Sequence, residues 1–485
     1  MSVLSRQLSF LLVAITLASA SSPTLGQSVS APTTQHADAI RLLDYWLEAQ
    51  AAFDRVPALS AGVVVGQDLV WSRGYGFVDD GRTLPANEST IYSICSISKL
   101  FTSIATMQLW ESEKVSLDAD ISRVVPSLQI PRVVQDGGRI TLRGLLSHSS
   151  GLPQETMAPS WPPRTFSGPT RAEILEQTAN QAPFVRPADH LQYSNLAMIL
   201  LGEVVTSVSG EAYETVISQR ILSPLKMVDT RPTIPGELLG LRLPRGHSAL
   251  RRDGTRDKLP VFEPRGLLPA AGYSSTVSDL ARFAAWQFRL LRSGGSEVLQ
   301  ASTLREMQRV QWSDPDGKST WGLGFAVSRE GQNSVVSHGG RCPGYETAIA
   351  LALKDEVGVI ALAAAQNAGP YTRQMRQLLL KGLRLPVAPN EAGSPDLTAY
   401  AGRYTSQPWI SERVVVPWGK DLALLNLPSS NPAEELQLLR HHSGDTFRRV
   451  RDDGSIANEV VFSRDGSGVV AGYREWNYAH QKLDR

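Results

Sequence analysis

Tyr92-Ser93-Ile94-Cys95-Ser96-Ile97-Ser98-Lys99-Leu100-Phe101 is the stretch on which the reading of this chain turns. A short apolar approach leads into Ser96-x-x-Lys99 and then a helix, where Leu100, Phe101, Ile104, Met107 and Trp110 recur every three to four residues. That repeat predicts one buried stripe. Residues three apart on a helix stand one above the other, which puts the Lys99 amine beside the Ser96 hydroxyl. A serine hydroxyl is a poor nucleophile until a neighbouring base takes its proton, and a desolvated lysine supplies that base. Backbone N–H groups and the positive dipole end at a helix start favour an oxyanion there. Alone, S-x-x-K is a common coincidence, so the flanking chain has to decide.

On the N-terminal side, Ser60–Val65, the turn Gly66-Gln67-Asp68 and Leu69–Phe77 read as strand, turn and strand of a central sheet. Ala37–Phe53 reads as an amphipathic helix with Ile40, Leu43, Leu47 and Ala51 on one face. Residues 21–37 are polar and poor in aromatics, as in a disordered leader. Before them, Arg6, the apolar run Leu8–Ala18 and Ala18-Ser19-Ala20 form a signal-peptide pattern, with cleavage after Ala20 or as late as Gln27. The expectation is an exported protein, periplasmic or secreted, with no stable membrane span.

On the C-terminal side, Ile140–Leu146 is a helix that stops at the Ser/Gly/Pro turn 147–153, where His148 reads as a structural histidine bonding the turn. Residues 158–170, carrying Trp161, form an irregular loop over the site. Tyr193-Ser194-Asn195 precedes the apolar helix Ile199–Val208. This is a capping context, and equally a phenol and an amide presented at a loop–helix junction. The sheet resumes through Trp321–Val327, Val335–Tyr345, Thr347–Leu353 and Val357–Ala365, and the helix Thr372–Gly382 closes it. Residues 386–396 are a linker by composition, and 397–485 break into short strands between polar turns, as in a small β-barrel or sandwich.

Composition excludes several classes. A net charge of +1 with 20% charged residues leaves no footprint for nucleic acid or an anionic membrane. The sequence has no H-E-x-x-H, no phosphate-binding G-x-x-x-x-G-K-[ST] and no G-x-S-x-G elbow. No metal or cofactor is expected, and the partner is a small-molecule or peptide substrate.

Ser96-Ile97-Ser98-Lys99, Tyr193-Ser194-Asn195 and His338-Gly339-Gly340 follow one another in the order and spacing of the serine β-lactamase and penicillin-binding-protein superfamily. The chain most resembles class C β-lactamases, D-alanyl carboxypeptidases, D-aminopeptidases and family-VIII esterases over residues 38–385. The resemblance implies an α/β (α+β) fold: an antiparallel sheet flanked by helices, an all-helical subdomain, and a C-terminal β-rich, barrel-like domain. It implies that Ser96 is the nucleophile of an acyl-enzyme, and that Lys99 and Tyr193 are the paired base. Asn195 resembles the side chain that bonds the substrate amide, and His338, Gly339 and Gly340 resemble the substrate-binding strand. The backbone N–H groups of Ser96 and Arg341 resemble the oxyanion hole. No acidic residue of the class A type is evident, which favours the Tyr193 route over a carboxylate-and-water route.

Two departures matter. Where β-lactamases usually carry Lys-Thr-Gly, this chain has His338-Gly339-Gly340. A histidine with an ordinary pKa of about 6.5 is mostly neutral at pH 7 and anchors a substrate carboxylate weakly. The two cysteines of the chain, Cys95 and Cys342, fall at positions similar to those of a disulfide in class A carbapenemases, which implies a Cys95–Cys342 bond in an exported protein. The resulting expectation is an exported serine hydrolase acting on a β-lactam, a D-amino-acid peptide or a small ester. A penicillin-binding protein that acylates without turnover and a non-catalytic interaction protein are the alternatives. Oligomeric state is not readable from the sequence.

Overall fold

The computed structural model describes residues 34–383 and 395–483, apart from 129, 132–137, 158–159, 163, 181, 331, 368 and 370. The signal-peptide pattern, most of the leader and the linker lie outside the described residues. The first helix spans Thr34–Phe53 and so begins within the stretch read as leader.

The main sheet is antiparallel, in the order Asp68–Gly76, Ala58–Val65, Val357–Ala363, Tyr345–Ala352, Asn333–Cys342, Ala326–Glu330, Thr320–Trp321 and Trp312–Ser313. Strand residues alternate between faces, and in this sheet both faces are buried. Val64, Ile349, Leu351, Ile360 and Leu362 face the helical body, built around Ser98–Glu111, Asn195–Ser209 and Val277–Ser293. Leu59, Ala61, Val63, Val359 and Ala361 face the other way, onto helices Thr34–Phe53 and Tyr371–Leu383.

The C-terminal strands close into an eight-stranded antiparallel barrel from Gly402–Ser406 to Tyr478–Lys482, with Tyr404 paired to Lys482 across the seam. Closure removes the sheet edges that an open β domain would expose. Val414, Val416, Trp418 and Leu425 pack with helices 34–53 and 371–383, continuing the second core layer. The Trp46 indole donates to the Ser429 carbonyl at 2.8 Å, and Lys381 Nζ donates to the Ala433 carbonyl at 2.7 Å.

Helix Ser98–Glu111 differs from its periodicity. All residues from Ser98 to Met107 are buried, so the helix is central and has no solvent face along that length. Thr102 and Thr106 meet their polar needs internally: Thr102 Oγ1 donates to the Pro269 carbonyl at 2.6 Å, and Thr106 Oγ1 donates to the Thr102 carbonyl at 2.9 Å. Hydroxyls that bond backbone in this way look polar in sequence yet sit in a core.

Candidate active site

Ser96 lies in a 3₁₀ turn, Cys95–Ile97, that runs directly into helix Ser98–Glu111. A 3₁₀ turn eclipses residues i and i+3, and Lys99 Nζ stands 3.0 Å from Ser96 Oγ. Ser96 is the sole residue between Thr90 and Met107 that is not fully buried. The chain enters the turn through Cys95, whose φ of 49° is unusual for a residue with a side chain.

The sheet meets this turn at three points, two of them on strand Asn333–Cys342. Cys95 and Cys342 form a disulfide with Cα atoms 5.6 Å apart. Thr347 Oγ1, on the neighbouring strand, donates to the Ile94 carbonyl at 3.0 Å. Gly340 lies so close that an added Cβ would sit 2.3 Å from the Ile94 oxygen and 2.4 Å from Thr347 Oγ1. A Gly340→Ala enzyme is therefore expected to push the strand off the Ser96 turn and lose about 10²-fold in kcat, the scale of a 1 Å misplacement. At Gly339 the nearest atom to an added Cβ is 3.8 Å away, so Gly339→Ala should lose far less. Equal losses in the two variants would contradict this reading.

The disulfide closes a separation of 247 residues. Cys95→Ser/Cys342→Ser is expected to lose about 2–5 kcal/mol of stability, read as a lower urea midpoint. An unchanged midpoint would contradict that expectation.

The ladder register orients the backbone. Cys342 pairs with Tyr345 across a two-residue turn, so residues 338, 340 and 342 bond toward strand Tyr345–Ala352. Residues 339 and 341 then point the other way, where strand Ala326–Glu330 pairs with no residue beyond Ser337. The Arg341 N–H thus points to the strand edge left unpaired beyond Ser337, and the Ser96 N–H belongs to the turn that opens a helix, whose donors lack intrahelical partners.

Lys99 is fully buried, and its amine also donates to the Ala270 carbonyl at 2.8 Å. Burial pulls its pKa down to about 7, opposed by the charge of Glu155. Tyr193 lies over it, ring centroid 4.9 Å from Nζ. Burial pushes the Tyr193 phenol well above its usual range, against a hydrogen bond with Ser96 that lowers it. The two shifts run in opposite senses: the Lys99 amine changes charge near neutrality, while Tyr193 stays a phenol.

Ser194 is the N-cap of helix Asn195–Ser209, accepting from Ala197 N–H at 2.9 Å and donating to the Pro153 carbonyl at 2.6 Å. Capping and presentation are thus one arrangement: the cap fixes the junction, and Tyr193 and Asn195 line the site cavity. The His148 imidazole bonds this junction rather than its own turn, and its Nε2 has no hydrogen-bond partner among the described residues. The Ser194 N–H donates to His148 Nδ1 at 3.2 Å, and the imidazole packs 4.4 Å from the Tyr193 ring. Burial, then Lys99 and His338, hold the His148 pKa well below its usual value. Trp321 fills the space between His148, at 4.8 Å, and His338, at 5.7 Å.

His338 is buried and donates from Nδ1 to the Gly339 carbonyl at 2.7 Å. Burial, with Lys99 nearby, pushes its pKa down to about 3. It is neutral at working pH, more firmly than its ordinary value implied. The exposed Arg341 guanidinium pairs with Glu346 at 3.4 Å.

Glu155 was not legible as a site residue. Its Oε1 accepts from Asn195 Nδ2 and, at 2.9 Å, from Trp161 Nε1. A carboxylate therefore does stand near Lys99 and Tyr193, in electrostatic contact with both, although no sequence motif marked it. The cavity beside these groups holds about 590 Å³, with Ser96, Trp161, Tyr193, Asn195, Trp321 and His338 in its wall. Among the described residues, no cluster of three or more His, Cys, Asp or Glu is arranged to hold a metal ion.

A beta-lactamase family model matches residues 43–384. Beta-lactamase-like protein 2 of Dictyostelium discoideum is 26% identical over 339 residues, 67% of this chain and 59% of that protein. The chain thus spans 59% of that relative's length. The D-alanyl-D-alanine-carboxypeptidase/endopeptidase AmpH of Escherichia coli K12 is 26% identical over 324 residues, 64% of this chain and 79% of AmpH. The solved structure of the octameric penicillin-binding protein homologue from Pyrococcus abyssi superposes with a TM-score of 0.62 at 22% identity. It covers 91% of this chain and 100% of that one, a likeness of fold.

Proposed function

The chain belongs to the beta-lactamase family, and from that premise we propose that it is an exported serine hydrolase that cleaves esters or amides through an acyl-enzyme on Ser96. The observation that carries the proposal is the 3.0 Å approach of a buried lysine, with its pKa near 7, to the one partly open serine of the turn. Neutral Lys99 takes the Ser96 proton as Oγ attacks the carbonyl. The oxyanion forms between the Ser96 and Arg341 N–H groups, where preorganised donors are worth most. The proton returns through Lys99 and Tyr193 to the leaving group, and water, deprotonated by the same pair, releases the acid.

Substrate preference follows from His338. A neutral imidazole in place of a lysine offers no charge to a carboxylate beside the scissile bond, and Arg341 is engaged by Glu346. The reading is therefore a hydrolase of esters or peptides, with β-lactams poor substrates. Steady-state kcat/KM for p-nitrophenyl acetate, alanine p-nitroanilide and nitrocefin tests this. Nitrocefin should be the slowest by at least about tenfold, and nitrocefin turnover matching the others would contradict the assignment. Export rests on the pattern of Arg6, Leu8–Ala18 and Ala18-Ser19-Ala20. The distribution of the full-length protein between cell and medium or periplasm, compared with a chain starting at residue 28, tests it. Among the described residues no single helix is long and apolar enough to cross a membrane.

A further inference from the structure

His148 grips the chain on both sides of Tyr193. It sits in the left-handed region, with φ of 56°. Its carbonyl accepts from the Gln192 N–H at 2.8 Å, and its Nδ1 accepts from the Ser194 N–H at 3.2 Å. The second bond belongs to the peptide that joins Tyr193 to Ser194, so it fixes how the backbone leaves Tyr193. A backbone N–H only donates, so Nδ1 carries the lone pair and the ring proton sits on Nε2. That neutral ring is fully buried, 4.4 Å from the Tyr193 ring and 4.8 Å edge-on from Trp321. A histidine kept only to satisfy its turn would look different. The Nδ1 bond reaches 46 positions along the chain, and Nε2 bonds nothing among the described residues. An asparagine tolerates a left-handed position and offers the same acceptor. What it lacks is the flat ring against Tyr193.

We propose that His148 is a positioning residue that holds the Tyr193 phenol where it passes a proton to the leaving group. Lys99 needs no such help, because the turn it shares with Ser96 sets their 3.0 Å approach. Tyr193 arrives from a separate segment, and its hydrogen bond with Ser96 depends on how that segment and its ring are held. Loss of the imidazole therefore leaves deprotonation of Ser96 in place and impairs the transfer that follows it. The cost falls on substrates whose leaving group cannot depart without a proton. A p-nitrophenolate departs as the anion, whereas an ethoxide does not. The inference rests on the reading of Tyr193 as a proton relay in acyl transfer to Ser96.

The test is the ratio of kcat/KM for p-nitrophenyl acetate to that for ethyl acetate. Both esters give the same acetyl-enzyme, so deacylation is common to them and the ratio reports the leaving group. His148→Ala should raise this ratio at least about tenfold over the wild type, within the range general acid catalysis supplies. Tyr193→Phe should raise it at least as far. The double variant should go no further than Tyr193→Phe alone, because both changes remove one contribution. His148→Asn, which keeps an acceptor for the Ser194 N–H but no ring, should fall between wild type and His148→Ala. Equal losses on the two esters in His148→Ala would make His148 structural and overturn the proposal, as would full additivity in the double variant. If His148→Ala does not fold, His148→Asn decides: a raised ratio supports the clamp and an unmoved ratio overturns it. A Tyr193→Phe enzyme with an unmoved ratio would remove the proton-relay reading itself, a separate result.

Discussion

The Ser96→Ala enzyme is expected to lose at least about 10³-fold in kcat/KM on every ester or amide the wild type cleaves, with little change in stability. The substitution removes one oxygen from a turn otherwise held by a disulfide, the Thr347–Ile94 hydrogen bond and the Gly340 contact. No cavity of consequence opens, because Ser96 is the partly exposed member of a buried run. What disappears is the bond-forming atom, so the loss should fall on kcat. An unchanged thermal midpoint beside a collapsed kcat marks a chemical defect. A modest loss that tracks a lowered midpoint would point to a structural serine.

The second large effect is in pH. Lys99 must be neutral to accept the Ser96 proton, and burial brings its pKa to about 7. Acylation should therefore be slow in acid, rise through pH 7 and level off above it. His338 is already neutral across this range, its pKa held near 3, and Tyr193 remains a phenol. The rising limb should thus be a single titration in kcat/KM, which reports the free enzyme. Lys99→Ala should lose at least about 10³-fold, and the limb should vanish with it. A limb that survives in Lys99→Ala would contradict this and leave Lys99 a charged bystander.

The parts of this site legible in sequence are those whose partners are close along the chain. Ser96 and Lys99 are three residues apart, and the turn between them sets their distance. Ser194 as a helix cap is equally local. The roles of Tyr193, His338 and Arg341 were accessible only through the order of the three motifs, since their approach to Ser96 depends on the packing of the sheet against the helical body. Glu155 was hidden because it meets Asn195 across forty positions, through a turn that the Ser194–Pro153 and Asn195–Gln154 bonds press against the helix start. Periodicity misled on Ser98–Glu111, where Thr102, Ser103 and Thr106 read as a polar face yet are buried. The C-terminal strands were visible as short alternating runs, but closure is a pairing of Tyr404 with Lys482 that no local pattern encodes.

If Ser96 carries the acyl group with Lys99 as its base, the pair can be caught in one experiment. The wild type is treated with a fluorophosphonate across pH 5–9, and the adduct is mapped by peptide mass. One adduct should appear on Ser96, absent from Ser96→Ala, and should form faster as pH rises through about 7. An adduct on another residue, or labelling of Ser96 at a rate indifferent to pH, would contradict that pairing.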